Sequence, residues 1–342
     1  TANEVTISDF APAEELAITN SRVDGLEARL NNFEAGSFSE TTTASFSADF
    51  AIGAVDGLAA QDTTSAVYGF QIDLSTSFTG EDSFDVSIDA GNAGATLTEL
   101  DLNDAGTDDV LAVDGISYTF PLGDKTTVMV GNDVAGSSLY STACVYGGPT
   151  NTLDDCGNAN SAMDSSTDAT ALSASFEIGN GFTAAFGYEG DGDAALGLGT
   201  KEGSDVYGAQ LSYAADQYAA SVTYANYDTS TTDTVYWGLN GYWLPSETGT
   251  AVPSISVGYE VGNPNNTSVD TSHYFVGLQW DEAGPGTLGV AMGTKEHTSD
   301  NATEYLEYEA WYSYPINDGM TVTPVVFVRE TAEGTDDETG VA

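Results

Sequence analysis

The stretch AVYGFQIDLSTSF at 66–78, followed by TGE at 79–81 and DSFDVSIDA at 82–90, decides the fold. Over 68–74 and 84–90, apolar residues hold the even positions, and polar residues or glycine hold the odd ones. A period of two is typical of a β-strand whose two faces meet different surroundings. The glycine-containing piece between them predicts a tight turn. The whole stretch therefore predicts a hairpin with one apolar face and one face of carboxylates and hydroxyls.

The same alternation recurs along most of the chain. It is found near 42–52, 66–78, 82–90, 110–120, 126–134, 170–178, 182–188, 205–213, 217–227, 234–243, 252–261, 272–280, 286–294, 304–313 and 320–328, and a sixteenth stretch begins at 338–342. Short connections such as 79–81 and 179–181 alternate with longer polar ones such as 91–109 and 189–204. Short turns on one rim and long loops on the other are typical of barrels in outer membranes. The sequence predicts an all-β, 16-stranded antiparallel up-and-down transmembrane β-barrel over 38–342.

Two details refine this prediction. Aromatic residues flank the short turns, as expected where strands leave the hydrocarbon for the headgroups; they are Phe78, Phe84, Phe120, Phe182, Tyr213, Tyr218, Trp243, Trp280, Tyr312 and Tyr314. Asp114 falls on the apolar parity of its strand, so it must lie near the rim or the register must shift at Gly115. The sixteenth stretch is short, and we expect the native strand to continue beyond Ala342 because an open edge in lipid leaves backbone groups unsatisfied.

Residues 1–37 follow a different period. Leu16, Val23, Leu26, Leu30 and Phe33 are spaced as in a heptad repeat, over barely three heptads. The segment is predicted to be a periplasmic linker with a short helix that forms an oligomeric coiled coil. A single amphipathic helix that caps one end of the barrel is the alternative.

Composition limits the partners. The 342 residues include 6 basic and 53 acidic side chains, a formal net charge of −47. Such a charge argues against nucleic acid and favours cations, although hydration in a salty medium explains it equally well. The chain has no apolar run of the length that a transmembrane helix needs. Its two cysteines, Cys144 and Cys156, are expected to form a disulfide if the protein lies outside the inner membrane.

The longest loop, 135–169, contains both cysteines and is predicted to fold inward as a constriction; the alternative is an external loop over the mouth. Its candidate pore residues are Asp154, Asp155, Asp164 and Asp168. The predicted lumen wall consists of Asp49, Asp73, Asp85, Asp89, Asp133, Glu177, Glu260, Glu307, Glu309 and Arg329. An anion pore needs rings of Arg or Lys, which this sequence cannot supply, so a mild cation preference is expected.

No cofactor is predicted, with one calcium candidate at Glu189, Asp191 and Asp193 that lacks a full loop motif. His273 and His297 are the only histidines. Neither has a serine, cysteine or metal-ligand partner at a diagnostic spacing, so both are interpreted as ordinary strand-end or loop residues. The chain is therefore not expected to be an enzyme.

Two motifs resemble one known family. RVDGLEAR at 22–29 with FSETT at 38–42, and YTFPLGDK at 118–125, resemble cyanobacterial outer-membrane porins of the carbohydrate-selective, OprB-like kind. The resemblance implies a homotrimer with a periplasmic coiled-coil stalk, in contact with outer-membrane lipid and lipopolysaccharide. Members of that family carry an S-layer-homology module that binds peptidoglycan, and this sequence is expected to lack it. Peptidoglycan is therefore implied as a partner only through a module absent from this chain.

Together these features predict a porin in the cell outer membrane. It would pass water, ions and small hydrophilic nutrients by passive diffusion. Two alternatives stay open. The first is an envelope tether with a largely plugged barrel, which would conduct little. The second is a soluble acidic surface-layer β protein, whose apolar side chains would pack between two stacked sheets.

Overall fold

The computed structural model describes residues 41–57, 63–92, 97, 99–102, 109–153, 156, 169–192, 195–229, 232–249, 251–295, 297–332 and 335–342. The predicted coiled coil, including Leu16, Val23, Leu26, Leu30 and Phe33, lies outside these residues. Among the described residues, no helix has the length and apolar character needed to cross a membrane.

Eighteen strand segments build the described fold. In chain order they are β1 (Thr42–Asp56), β2 (Ser65–Thr76), β3 (Ser83–Gly91), β4 (Ala112–Pro121), β5 (Thr126–Asn132), β6 (Ala169–Gly179), β7 (Phe182–Asp191), β8 (Asp205–Ala214), β9 (Tyr218–Asp228), β10 (Asp233–Trp243), β11 (Ser254–Pro264), β12 (Thr271–Ala283), β13 (Gly286–Thr294), β14 (Thr298–Ser299), β15 (Leu306–Asn317), β16 (Met320–Val322), β17 (Val325–Arg329) and β18 (Glu338–Val341). All pairings are antiparallel and almost all join neighbours in sequence.

These segments form sixteen barrel strands. The two-residue β14 only extends the pairing along β12. β16 and β17 both pair with β15 and are the two halves of one strand, which Pro324 interrupts because proline has no amide hydrogen to donate. The predicted fold class, a 16-stranded antiparallel barrel, is confirmed.

The barrel closes through β18. Val341 lies opposite Ala54 of β1 on one side and opposite Val326 of β17 on the other. Closure through so few residues makes this the shortest seam of the sheet. The continuation of the strand beyond Ala342 stays a prediction.

Alternation of burial shows that the two faces of the sheet meet different surroundings. In β11, Ser254, Ser256 and Gly258 are buried, whereas Ile255 and Val257 are 39% and 44% exposed. Phe46, Phe50, Ile52, Leu239 and many other large apolar side chains likewise lie on the outside. A single closed sheet with an apolar exterior is a membrane-spanning arrangement. It excludes the soluble sandwich, in which those side chains would pack against a second sheet.

Asp114 occupies a β-bulge. Ser87 of β3 pairs with Gly115 of β4, whereas the next residue, Ile88, pairs with Val113, so Asp114 has no partner opposite it. The extra residue restores the parity of the strand. The predicted register shift at this position is confirmed.

The two rims differ as predicted, with two exceptions. Short turns, such as the one at Asn180-Gly181, form the turn rim, and longer connections form the loop rim. At the turn rim, Phe78 contacts Phe84 and Tyr118, with ring centroids 6.1 and 6.2 Å apart. The connection 229–232 on the loop rim is short, and 244–253 on the turn rim is long.

Candidate functional site: the barrel interior

Most of the predicted wall carboxylates share the interior parity of their strands, but their exposure differs. The side chains with this parity are Asp49, Asp73, Asp85, Asp89, Glu177, Glu260, Glu307 and Glu309. Asp133 lies just after β5, and Arg329 ends β17 at the loop rim. Glu260, Glu307 and Glu309 are at most 4% exposed, whereas Glu177 is exposed. The predicted wall is therefore not uniform.

The connection between β5 and β6, which we call L3 (133–168), runs along the interior face over its described residues. Its backbone amides donate hydrogen bonds to side chains of successive strands. In chain order these are Gly136 N to Glu189 Oε2 (3.0 Å), Leu139 N to Ser173 Oγ (3.4 Å), Ser141 N to Gln210 Oε1 (2.7 Å), Val145 N to Ser256 Oγ (3.2 Å) and Gly147 N to Gln279 Oε1 (3.3 Å). L3 thus crosses the wall from β6 and β7 to β12. Polar wall side chains thus satisfy the amides that L3 turns toward the wall.

Glu309 anchors the middle of L3. Tyr146 donates its hydroxyl to Glu309 Oε1 at 2.5 Å, and Thr150 donates to Oε2 at 2.7 Å. Trp311 Nε1 donates to the Tyr146 hydroxyl at 2.9 Å. Burial, and next the neighbouring Glu309 carboxylate, raise the pKa of Tyr146 well above its ordinary value, so the phenol stays protonated and donates.

Small residues on the wall make room for L3. A Cβ atom added at Gly258 would overlap the carbonyl oxygen of Cys156. One added at Gly277 would lie 2.7 Å from the Tyr146 ring, and one at Gly293 would lie 3.1 Å from Leu153. Glycine permits such close approach of the loop. The glycines and serines of β11 to β13 therefore serve as the surface on which L3 rests.

The predicted disulfide is confirmed. Cys144 and Cys156 are bonded, with their Cα atoms 5.9 Å apart. Both sulfurs lie inside the barrel, where Cys156 is 1% exposed. The bond closes the part of L3 that carries Tyr146, Thr150 and Leu153. Asp154, Asp155, Asp164 and Asp168, the predicted pore acids of L3, lie outside the described residues.

A second loop also enters the barrel, and its entry was not predicted from the sequence. We call the connection between β3 and β4 L2 (92–111); its described part includes Leu97 and Glu99–Leu102. Leu100 forms an isolated antiparallel bridge with Thr150 of L3. Asp101 N donates to Pro149 O, and Asn151 N donates to Glu99 O, both at 2.9 Å. L2 and L3 are therefore paired inside the barrel.

Arg329 is surrounded by carboxylates. It forms ion pairs with Glu99 of L2 (3.0 Å), Glu307 of β15 (3.1 Å) and Glu338 of β18 (3.1 Å). Its single positive charge is therefore outnumbered by these three carboxylates, and it joins L2 to the wall. Arg329 was predicted as a wall residue, and these partners were not.

An apolar cluster fills the space between the loops and one part of the wall. Its members share burial and contact with one another; they are Ala51, Val55, Val67, Leu97, Leu100, Tyr146, Leu153, Cys156, Phe275, Ala291, Trp311, Val325 and Phe327. Phe275, Trp311 and Phe327 lie on the interior parity, where the sequence analysis expected polar residues. Two features of the sequence could have indicated this cluster. They are the aromatic residues at interior positions, and Leu97, Leu100 and Leu102 in an otherwise polar loop. This part of the interior is packed like a protein core.

The two histidines lie together rather than apart. Their rings stack with centroids 5.4 Å apart. His297 Nε2 lies 2.6 Å from Glu260 Oε1, and its Nδ1 lies 3.3 Å from Thr271 Oγ1. His273 Nδ1 lies 3.0 Å from Thr294 Oγ1. These contacts fix the connection after β13 to the wall, a structural role that sequence spacing did not indicate.

A second part of the interior is polar and partly exposed to solvent. It comprises the turn-rim halves of β1 to β4, with Ser45, Ser47, Asp49, Gln71, Asp73, Ser75, Ser83, Asp85, Ser87, Ser117 and Thr119. Asp73 accepts from Gln71 and Ser87, both at 2.8 Å, and Asp85 accepts from Ser83 at 2.7 Å. These hydroxyls orient the carboxylates and add no positive charge. We call this surface the acidic wall.

The two described residues of the predicted calcium site differ in burial. Glu189 is buried and accepts the Gly136 amide, whereas Asp191 is exposed and Asp193 lies outside the described residues. Within the part of the chain that the structure describes, no group of three or more His, Cys, Asp or Glu side chains could hold a metal ion.

Comparisons with known proteins support the fold. No protein-family model matches the chain. The uncharacterized protein alr4550 of Nostoc sp. is 35% identical over 133 residues, which are 36% of this chain and 22% of that protein. The chain thus spans about a fifth of the length of this relative.

Solved porins resemble most of the chain. OprB of Pseudomonas putida superposes with a TM-score of 0.63 at 12% identity, covering 87% of this chain and 92% of that one. An anion-selective porin from Comamonas acidovorans gives a TM-score of 0.58 at 14% identity, covering 88% and 97%. At such low identity the likeness is one of fold: this chain has the 16-stranded barrel of porins.

Proposed function

We propose that the chain forms a water-filled channel in the outer membrane, through which ions and small hydrophilic solutes diffuse passively. The acidic wall supports this most directly, because solvent-exposed hydroxyls and carboxylates line the inside of a closed barrel whose outside is apolar. A barrel of sixteen strands is wide enough to enclose an aqueous channel. The porin-like fold is consistent with the same function.

The inward-folded loops would set the size limit of this channel. L3 and L2 occupy one part of the interior and leave the acidic wall facing the remaining space. We propose that Asp154, Asp155, Asp164 and Asp168 line the same passage from the loop side. Solutes would then pass between a loop surface and a strand surface that both carry negative charge.

A mild preference for cations follows from the same arrangement. Among the described residues of the acidic wall, none is Lys or Arg, and Arg329 is outnumbered by three carboxylates. Glu260, Glu307 and Glu309 are buried and hydrogen-bonded or ion-paired, so they contribute little to the field in the channel. Salt weakens the preference, because the Debye length falls from about 10 Å at 0.1 M to about 3 Å at 1 M.

The test is the reversal potential across a planar bilayer that holds the purified protein between two KCl concentrations. We expect stepwise conductance and a potential of the sign that K⁺ preference gives. Asp73→Asn combined with Asp85→Asn should move the potential toward zero, whereas Asp216→Asn in an exposed turn should not. Absence of conductance would contradict the channel, and an anion-selective potential would contradict the preference.

The assembly is proposed from the family resemblance. The channel would work as a homotrimer in contact with outer-membrane lipid and lipopolysaccharide, with residues 1–37 forming its periplasmic coiled coil. No cofactor is proposed, and the calcium candidate at Glu189, Asp191 and Asp193 stays an untested alternative. Cross-linking of the detergent-solubilised protein tests the trimer: a ladder that stops at three supports it, and a single monomer band opposes it.

One observation favours a second candidate, an envelope tether with a largely plugged barrel. The apolar cluster around Tyr146 and Trp311 fills part of the interior with dry contacts, which a wide channel does not require. The same bilayer experiment separates the two candidates, because a plugged tether would insert without conducting.

A further inference from the structure

The buried carboxylate of Glu99 links three parts of the interior. We propose that Glu99 is the positioning residue that holds L2, and through it residues 150–152 of L3, against the barrel wall, and so sets the width of the channel. This inference rests on the proposed channel function.

Each acceptor of Glu99 has a different partner. Oε2 forms the ion pair with Arg329 of β17 at 3.0 Å. Oε1 accepts the amide of Thr152 in L3 at 3.0 Å, and the backbone carbonyl accepts the amide of Asn151 at 2.9 Å. Glu99 is only 6% exposed, so water does not replace these bonds readily. One side chain therefore connects L2, L3 and a wall strand.

Residues 150–152 of L3 are fixed from two sides. Thr150 is held by Glu309 of β15, while Asn151 and Thr152 are held by Glu99. Glu309 belongs to the wall, whereas Glu99 belongs to L2, whose other described polar links to the wall strands lie at its two ends, at Asn92 and Asp109. Loss of Glu99 should therefore free L2 and loosen L3 while the strands keep their pairing.

Arg329 is a poor place to test this inference. Its removal would leave Glu99, Glu307 and Glu338 close together without a counter-charge, which is expected to destabilise the barrel strongly. Glu338 offers a matched control instead. It contacts the same Arg329 nitrogen at 3.1 Å and carries the same charge, but it lies on β18 and is not part of either loop.

The experiment compares Glu99→Gln, Glu99→Asp and Glu338→Gln with the wild-type full chain. Folding is checked first by the heat-modifiable mobility of the barrel in detergent gels. Single-channel conductance in KCl is then measured together with the entry rates of uncharged sugars of increasing size into proteoliposomes. Uncharged solutes report channel width without the direct effect of the altered charge.

We expect Glu99→Gln to raise conductance roughly twofold and to admit larger sugars, because the cross-section available to solutes grows. Glu99→Asp should act in the same direction, since it keeps the charge but is too short to reach both partners. Glu338→Gln should match the wild type. If Glu99→Gln does not fold, the comparison of Glu99→Asp with the wild type tests the inference.

Two outcomes would overturn the inference. One is wild-type sugar entry and conductance in both Glu99 variants. The other is an equal increase in Glu99→Gln and Glu338→Gln, which would assign the effect to the charge around Arg329. If the wild-type protein conducts nothing, the proposed function fails instead, and the two failures are distinguishable.

Discussion

The two parts of the barrel interior use the same acidic residue types for different purposes. Around L2 and L3, Glu99, Glu307 and Glu309 are buried and bonded to Arg329, Tyr146 or Thr150, so they hold structure together. On the acidic wall, Asp73 and Asp85 are half-buried and bonded only to neutral hydroxyl and amide groups. The comparison indicates that burial and partners, rather than residue type, decide which interior carboxylates stay accessible to solvent.

The largest effect is expected on the packed side, at Glu309. Glu309→Gln weakens the bonds from Tyr146 and Thr150 and leaves a buried group poorly satisfied, at a cost of about 3 kcal/mol in the free energy of unfolding. Glu177→Gln, on an exposed interior position of β6, should cost no more than about 0.5 kcal/mol. Urea unfolding of the folded barrel in detergent measures both. Equal values would erase the distinction between the two sides.

The disulfide should have a comparable but local effect. Replacing Cys144 and Cys156 with serine removes a cross-link worth about 3 kcal/mol on the chain-entropy model. L3 should loosen, raising single-channel conductance and the exclusion size, while the barrel keeps its heat-modifiable mobility. Reduced wild-type protein should behave like the double variant. Unchanged conductance and exclusion size would mean that the disulfide does not shape the channel.

A smaller effect is expected where L3 rests on the wall. Gly258→Ala places a methyl group against the carbonyl of Cys156 and should destabilise the protein by about 1–3 kcal/mol through overpacking. Gly147→Ala is the matched control, since a Cβ there meets nothing within 4 Å. Thermal unfolding compares them. A variant at Gly258 as stable as the one at Gly147 would show that L3 does not press against β11.

The smallest effect is expected at the turn between β2 and β3. The hydrogen bond from the Tyr118 hydroxyl, together with donors from Ser77 and Thr79, holds the pKa of Asp82 well below its usual range. A lowered folded-state pKa contributes stability above the unfolded value, about 3.9. That contribution is lost as pH falls through the folded value.

Tyr118→Phe should therefore be less stable than the wild type at neutral pH. The difference should shrink as pH falls below about 4. Tyr314→Phe, also near the turn rim, serves as the control. A difference that grows toward acid pH would reverse the assigned sign.

Much of the fold could be predicted because the barrel imposes a period of two on every strand. The alternation around Phe70 and Asp73, and the misplaced Asp114, were sufficient to indicate strand faces and one bulge. The entry of L2 could not be predicted in the same way, because its contacts with Thr150 and Arg329 depend on segments far apart in sequence. Phe327 and the other interior aromatics occupy positions where the alternation predicts polar residues. Their presence there is explained only by the loops that cover them.

The candidate site was predicted less completely than the fold. Sequence parity assigned Glu307, Glu309 and Asp85 to the same interior face, yet it contains no information about which of them a loop will bury. The barrel fold also does not determine whether a channel prefers anions or cations. The Comamonas acidovorans porin is described as anion-selective, whereas the acidic wall described here carries only negative charge.

Chemical modification of single introduced cysteines tests most directly whether the interior has a solvent-accessible acidic wall and a buried part. Ser117→Cys places a thiol on the acidic wall opposite Asp85, and Ser221→Cys places one on β9 where the serine is 2% exposed. The described native cysteines are disulfide-bonded and give no background. A cationic methanethiosulfonate reagent should lower the conductance of Ser117→Cys channels and leave Ser221→Cys channels unchanged. Block at Ser221 without block at Ser117 would contradict the account.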